Sequence, residues 1–388
     1  MEPLLLLVVK VIGTGFAAIV GFYIVFLVLG AIPFFQRHLL YLHKANTLFW
    51  HDVNRPEQWG FARNQVTPFK LPTPDGETIY AWHILPLRLY ARHEETVSSS
   101  RAPGLCDDVK KTEAFRLLKE DRDAKVIIYF HGNAGHIAQG WRTDAYHAFT
   151  DTTSYHVIAI DYRGFGHSTG TPSEKGLILD AMTAVNWVIN VAGVPAERIL
   201  FFGQSLGTAV ASGAAEACVS DGIELAGVVL VAGFSNLATM LTGYRISGLV
   251  PVLGPFQWVP FTSRLLKACI YEKWPSADRL ARVVKQTDSR LRLSLVHAKD
   301  DMDIPCLESD KLFKAAATAT MQDGASGSEF EARKRKATVD KGDGAFVTTW
   351  TAEPNIIIRQ EQFAHGGHNQ IMGYAPSILA AMRSFGDV

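Results

Sequence analysis

Cysteine is scarce and scattered. Cys106, Cys218, Cys269 and Cys306 share no CxxC spacing and no neighbouring histidine cluster, which argues against a zinc site or a dithiol redox motif. Net charge is missing too: 38 basic residues balance 38 acidic ones, so no basic face is available for a nucleic-acid backbone. Gly13 and Gly15 resemble the start of a dinucleotide fingerprint but lie in an apolar run with no strand before them, so that motif fails. No Asn-x-Ser/Thr sequon occurs anywhere in the chain. Neither a metal nor an organic cofactor is expected. Hydrophobic residues make up 48% and charged residues 20% of the 388 positions, a composition that excludes a disordered chain.

Long hydrophobic runs are present, and the first is at the start. From Val11 to Phe35 the chain carries no charge, long enough to cross a hydrocarbon core of about 30 Å. Arg37, His38, Tyr41 and Lys44 follow as an interfacial border. The expected organisation is a membrane anchor over 1–44, with a single transmembrane helix at 11–35, followed by one domain over 60–388. A cleaved signal peptide is the rival reading, but its apolar core should be shorter.

Beyond the anchor, residues 64–86 read as a β-hairpin around Pro74-Asp75-Gly76, and the polar stretch 87–123 as a surface insertion. Then apolar strands at 125–132, 155–162, 198–204, 225–234, 291–300 and 355–363 alternate with helical segments such as 173–193. That pattern predicts an α/β fold with a mostly parallel sheet flanked by helices. Two inserts interrupt it. One, at 235–285, is apolar and reads as a cap. The other, at 319–347, is rich in Gly, Ser and charge and reads as a mobile loop.

Within this frame stands Gly203-Gln204-Ser205-Leu206-Gly207, after a strand and before a run of helix formers. This is the nucleophile-elbow pattern: glycines two residues either side of a serine permit a turn too tight for side chains. A serine nucleophile needs a base, and the base an orienting carboxylate, following in the order Ser, Asp, His. "HAKDDMDIP" ends the strand at 291–300 and offers Asp300, Asp301 and Asp303; the Asp-x-x-Ile-Pro spacing selects Asp301. "FAHGGHNQI" offers His365 and His368, and two preceding glycines favour His368, leaving His365 a structural part. His297, inside a strand, reads as a packed side chain. The N–H of Leu206 and that of Asn133, in the turn "FHGNAGH", are the expected oxyanion donors.

"YFHGNAGH", "DYRGFGHSTGTPSEKG", "GQSLGTAVA", "HAKDDMDIP" and "GGHNQI" together resemble the α/β-hydrolase superfamily. More narrowly, they resemble its membrane-anchored monoacylglycerol and lysophosphatidylserine lipases, the group of α/β-hydrolase domain-containing protein 12 and its fungal relatives. The resemblance spans roughly residues 65–385 outside the inserts. It implies the α/β-hydrolase fold, a triad of Ser205, Asp301 and His368, an oxyanion hole at Asn133 and Leu206, and a structural turn at Asp161 and Arg163. It also implies a lipid ester as substrate and an endoplasmic-reticulum membrane, with the side of the catalytic domain left open. The chain departs from the group at Gln204, where histidine is frequent, and in the 319–347 insert. Phe256 and Trp258 in the cap are the expected substrate gate. A general esterase or thioesterase, a peptidase-like hydrolase and a catalytically silent membrane scaffold remain the alternatives.

Overall fold

The structure, a computed structural model, describes residues 2–45, 50–243, 245–246, 250–251, 264, 268–322 and 326–388. The chain starts with helix α1 (Glu2–Ala31), whose stretch Leu5–Ala31 is long and apolar enough to cross a membrane, a length and composition a signal sequence can share. The helix begins earlier than the charge-free run and ends sooner. Ile32 is extended, and Pro33, with no N–H to continue the ladder, opens a separate helix α2 (Pro33–Tyr41).

The hairpin follows as β1 (Val66–Pro72) and β2 (Thr78–Ile84). Residues 87–123 are not a bare surface insertion. They form α3 (Leu87–Arg92), α4 (Glu94–Ser99) and α5 (Glu113–Glu120), which bury Tyr90, Val97 and Leu117 in a small core of their own. The alternation then runs β3 (Lys125–Phe130), α6 (Arg142–Thr152), β4 (Tyr155–Asp161), α7 (Glu174–Asn186), β5 (Ile199–Gln204), α8 (Leu206–Ser220) and β6 (Gly227–Val231). In the apolar insert, α9 (Leu237–Gly243) precedes a two-residue ladder of β7 (Arg245–Ile246) with β8 (Val250–Pro251). Phe256 and Trp258 lie outside the described residues. At the end of the apolar insert, α10 (Ser276–Gln286) buries Leu280, Val283 and Val284 in the main core.

After β9 (Leu291–Ala298) and α11 (Leu307–Thr318), the polar insert departs from the expected loop. It contains α12 (Gly327–Ala337) and a hairpin of β10 (Thr338–Gly342) with β11 (Ala345–Ala352). Trp350 of β11 is buried against Phe330 of α12 and donates its indole N–H to Thr320 at 2.9 Å. Burial of two aromatic rings supplies what the polar composition hides. The chain closes with β12 (Ile356–Phe363) and α13 (Ala375–Phe385).

The strands form one sheet in the order β1-β2-β4-β3-β5-β6-β9-β12-β11-β10. The inner six, β4 to β12, run parallel, and an antiparallel hairpin flanks each side. Their side chains alternate between two cores: Ile128 and Phe130 face one, Ile127 and Tyr129 the other. Strand β3 has β4 on one side and β5 on the other, so the order reverses there. A crevice outside the carboxyl ends of strands at such a switch point is where open α/β sheets bind ligands.

Candidate active site

The turn between β5 and α8 is one residue long, and that residue is Ser205, held at φ 54° and ψ −118°. Such a conformation is costly for an L-residue. It is held by the Ser205 N–H donating to Val231 O at 3.0 Å and by the absence of side chains around it. A Cβ on Gly207 would lie 1.9 Å from Phe130 O, and one on Gly203 would lie 2.4 Å from Gly207 O. Only glycine lets α8 approach the sheet this closely and aim its first N–H groups at the serine.

His368 arrives from the loop after β12. Its Nε2 lies 2.9 Å from Ser205 Oγ, and its Nδ1 2.8 Å from Asp301 Oδ2. Because Nδ1 faces a carboxylate, the proton sits there and Nε2 is free to accept from the hydroxyl. Gln204 donates to the His368 carbonyl at 3.1 Å, so the residue beside the serine also holds the histidine loop. Asp301 Oδ1 accepts the backbone N–H groups of Asp303 and Ile304 at 2.9 and 2.8 Å. Burial would raise this carboxyl, but hydrogen bonds from His297 and His368 and their charge outweigh it and hold it well below the usual carboxylate range. A depressed folded-state pKa stabilises the fold above the ordinary range near 3.9 and is lost as pH falls.

The neighbouring residues separate clearly. Asp300 is half exposed and accepts the Gly367 N–H at 2.8 Å, bracing the loop rather than the ring. His365, expected to be a structural part, has its side chain 87% exposed and 3.8 Å from Asp300. His297 is packed, but it is also a second donor to the aspartate. Its Nε2 lies 3.1 Å from Asp301 Oδ2 and 3.0 Å from Ile304 O. Arg163 pairs with Asp180 and Asp75 at 2.8 and 2.6 Å, the brace of a turn. Asp161 is fully buried, and desolvation pushes its pKa up to about 6 against the pull of His136 and Arg142.

The turn after β3 carries Asn133, which lines the same cavity as Ser205 and Leu206. Neither the N–H of Asn133 nor that of Leu206 donates to another group among the described residues. Two elements that give no local sequence signal hold this turn. One is Arg142, buried at the start of α6, whose guanidinium donates to the carbonyls of Gly132, Asn133 and Ala134 at 2.7–2.8 Å and to that of His136. The other is α2: Leu40 O accepts from the Asn133 side chain, and Tyr41 O from the Ala134 N–H at 3.1 Å. The end of α2 is therefore tied to the turn that carries Asn133.

Removing the Arg142 fork strands four carbonyls, those of Gly132 and His136 in buried residues and those of Asn133 and Ala134 in half-buried ones. Arg142→Met is expected to lower stability by about 3 kcal/mol in urea unfolding. Arg142→Lys keeps the charge but offers no planar fork, and should lower kcat more than it raises KM. A lysine variant with undiminished kcat would exclude a role for Arg142 in positioning the turn.

The arrangement has the geometry for acyl transfer: a hydroxyl on a base, the base on a carboxylate, and two free N–H groups beside them. Comparison with known proteins agrees. The family described as alpha/beta hydrolase fold matches residues 125–245. The human protein ABHD12B is 28% identical over 287 residues, 72% of this chain and 69% of its own. The chicken lysophosphatidylserine lipase ABHD12 is 27% identical over 292 residues, 74% of this chain and 68% of its own. Among solved structures, an alpha-beta hydrolase from Vibrio vulnificus superposes with a TM-score of 0.57 at 17% identity, covering 90% of this chain and 94% of that one. The chain thus has the α/β-hydrolase fold and is a carboxylic ester hydrolase, similar to the ABHD12-type proteins.

Proposed function

We propose that this protein is a membrane-tethered serine hydrolase that cleaves the ester bond of single-chain lipids, a monoacylglycerol or a lysophospholipid, through an acyl-enzyme. The observation that carries the reading is the Asp301–His368–Ser205 relay, with contacts of 2.8 and 2.9 Å, opening into a cavity of about 530 Å³ walled by Phe234, Leu237, Met240, Leu241 and Trp274. The similarity to lysophosphatidylserine lipases and the apolar helix at Leu5–Ala31 support the lipid and the tether. An endoplasmic-reticulum location rests on the resemblance alone.

In this reading Ser205 Oγ attacks the ester carbonyl while His368 Nε2 takes its proton. Asp301 holds the ring tautomer and stabilises the imidazolium. The N–H groups of Leu206 and Asn133 receive the oxyanion. Collapse expels the glyceryl alkoxide, which takes the proton from His368 and leaves an ester on Ser205. Water then attacks that ester, its proton passing to His368, and Ser205 and a fatty acid are released.

Each buried methylene contributes about 0.8 kcal/mol. About four more of them in the cavity add roughly 3 kcal/mol, over a hundredfold in kcat/KM. The purified full chain should therefore hydrolyse long-chain monoacyl esters with a kcat/KM at least a hundredfold above that for acetyl esters. Equal specificity constants would remove the lipid reading and leave a general esterase. Headgroup choice is read from the same assay run on monoacylglycerol and lysophosphatidylserine.

A further inference from the structure

Helix α2 has its polarity reversed for a helix on a water-soluble surface. The face turned to the protein carries Gln36, whose amide donates to Gly30 O at 2.7 Å and Cys269 O at 2.9 Å and accepts from the Tyr271 N–H at 2.8 Å. The helix also buries Tyr41, whose hydroxyl accepts the Trp274 indole N–H at 3.1 Å. The outward face is apolar. Phe35 and Leu39 lie four residues apart on the helix, Ile32 and Leu42 flank its two ends, and each is 41–48% exposed. Water does not favour such a stripe; an interface or a lipid surface does.

The stripe has two defined ends. At one end it continues from the candidate membrane span, which stops at Ala31. At the other, Leu39 and Leu42 line the cavity that contains Ser205 and His368. An acyl chain moving along α2 from the hydrocarbon to the serine would stay in contact with apolar side chains. A path through water would instead expose each of its methylenes, at about 0.8 kcal/mol apiece. We infer that the exposed face of α2 is the route by which the acyl chain of a bilayer lipid reaches the cavity, and that Leu39 and Leu42 at its mouth set the acyl-chain preference. This rests on the lipid-ester reading above, and commits to a lipid chain as occupant rather than a second copy or a protein partner. The Gln36 contacts hold the end of α1 and the cap-side residues Cys269 and Tyr271 to this one helix, so the mouth keeps a set position relative to the membrane.

The test uses the full chain reconstituted in phosphatidylcholine vesicles. The readout is the ratio of kcat/KM for vesicle-borne monooleoylglycerol to that for dissolved p-nitrophenyl acetate. Leu39→Ser with Leu42→Ser should lower the ratio at least tenfold. Val339→Ser, at an exposed apolar position on the outer strand β10, should leave it within twofold of wild type. Leu39→Trp, which adds volume in place of polarity, should move the optimum to shorter chains. Phe35 lies on the stripe but outside the cavity lining, so Phe35→Ser should cost more on the vesicle-borne ester than on dissolved p-nitrophenyl octanoate. A wild type that prefers the long chain, with the double serine variant keeping that preference, overturns the α2 route and leaves the lipid reading standing. Equal losses on the two substrates in Phe35→Ser overturn the route from the bilayer. A wild type with no chain preference defeats the lipid reading itself, and this inference with it.

Discussion

Replacing Ser205 with alanine is expected to abolish labelling by a fluorophosphonate and to lower kcat by roughly 10⁵–10⁶-fold. Labelling requires the serine oxygen to displace fluoride, and among the described residues no other serine hydroxyl touches a histidine ring. Among the other buried serines, Ser212 bonds Thr208 O, Ser377 bonds Ile371 O, and Ser235 bonds Glu308. The backbone should survive the change, because alanine at φ 54° is no more strained than serine there. A thermal midpoint close to that of the parent protein would confirm that chemistry, and not folding, has been lost. Label retained on the folded alanine variant would remove Ser205 from its assigned role.

The second large effect is expected from Asp301→Asn, about 10⁴-fold in kcat, and the structure says which way the amide must turn. Oδ1 receives the N–H groups of Asp303 and Ile304, so the asparagine oxygen takes that place. Its NH₂ then faces both His368 Nδ1 and His297 Nε2, where Oδ2 stood. Two donors would meet at the His368 contact unless its proton moves to Nε2, and a ring protonated at Nε2 cannot accept from Ser205. Proton NMR should show the loss of the Nδ1–H resonance. Asp300→Asn is the control: its Oδ1 accepts only the Gly367 N–H, which an amide oxygen also accepts, so the loss should stay within about tenfold, the scale of one neutral hydrogen bond. A larger loss at position 300 than at 301 would contradict the assignment.

What could be seen in the sequence was what short segments encode. The elbow is five residues in a row, and the parallel strands are uninterrupted apolar runs, so both were visible without tertiary knowledge. Asp301 and His368 were visible because each follows a strand end at a set spacing. Arg142 was not, since its work is done on carbonyls six to ten residues earlier and no periodicity marks it. His297 looked like a packed strand residue because its partner becomes adjacent only when the turn at 299–304 folds back. The hairpin of β10 and β11 was hidden by composition, although Gly342-Asp343-Gly344, all at positive φ, is the kind of turn that joins two strands. The packing of Tyr41 of α2 in the main core is a long-range contact that a stretch of Phe and Leu beside an apolar run does not announce.

Strand β12 lies hydrogen-bonded between β9 and β11 and leads into the loop that carries His368. During synthesis the serine, its oxyanion donors and the aspartate all leave the ribosome before it. His368 follows the serine by 163 residues, about ten to thirty seconds at usual elongation rates. Through that interval the serine has no base to activate it. The protein is born latent, and its reactivity begins only when the last parallel strand slots between its neighbours. A hydrolase assembled in this order is thereby inert until its fold is complete.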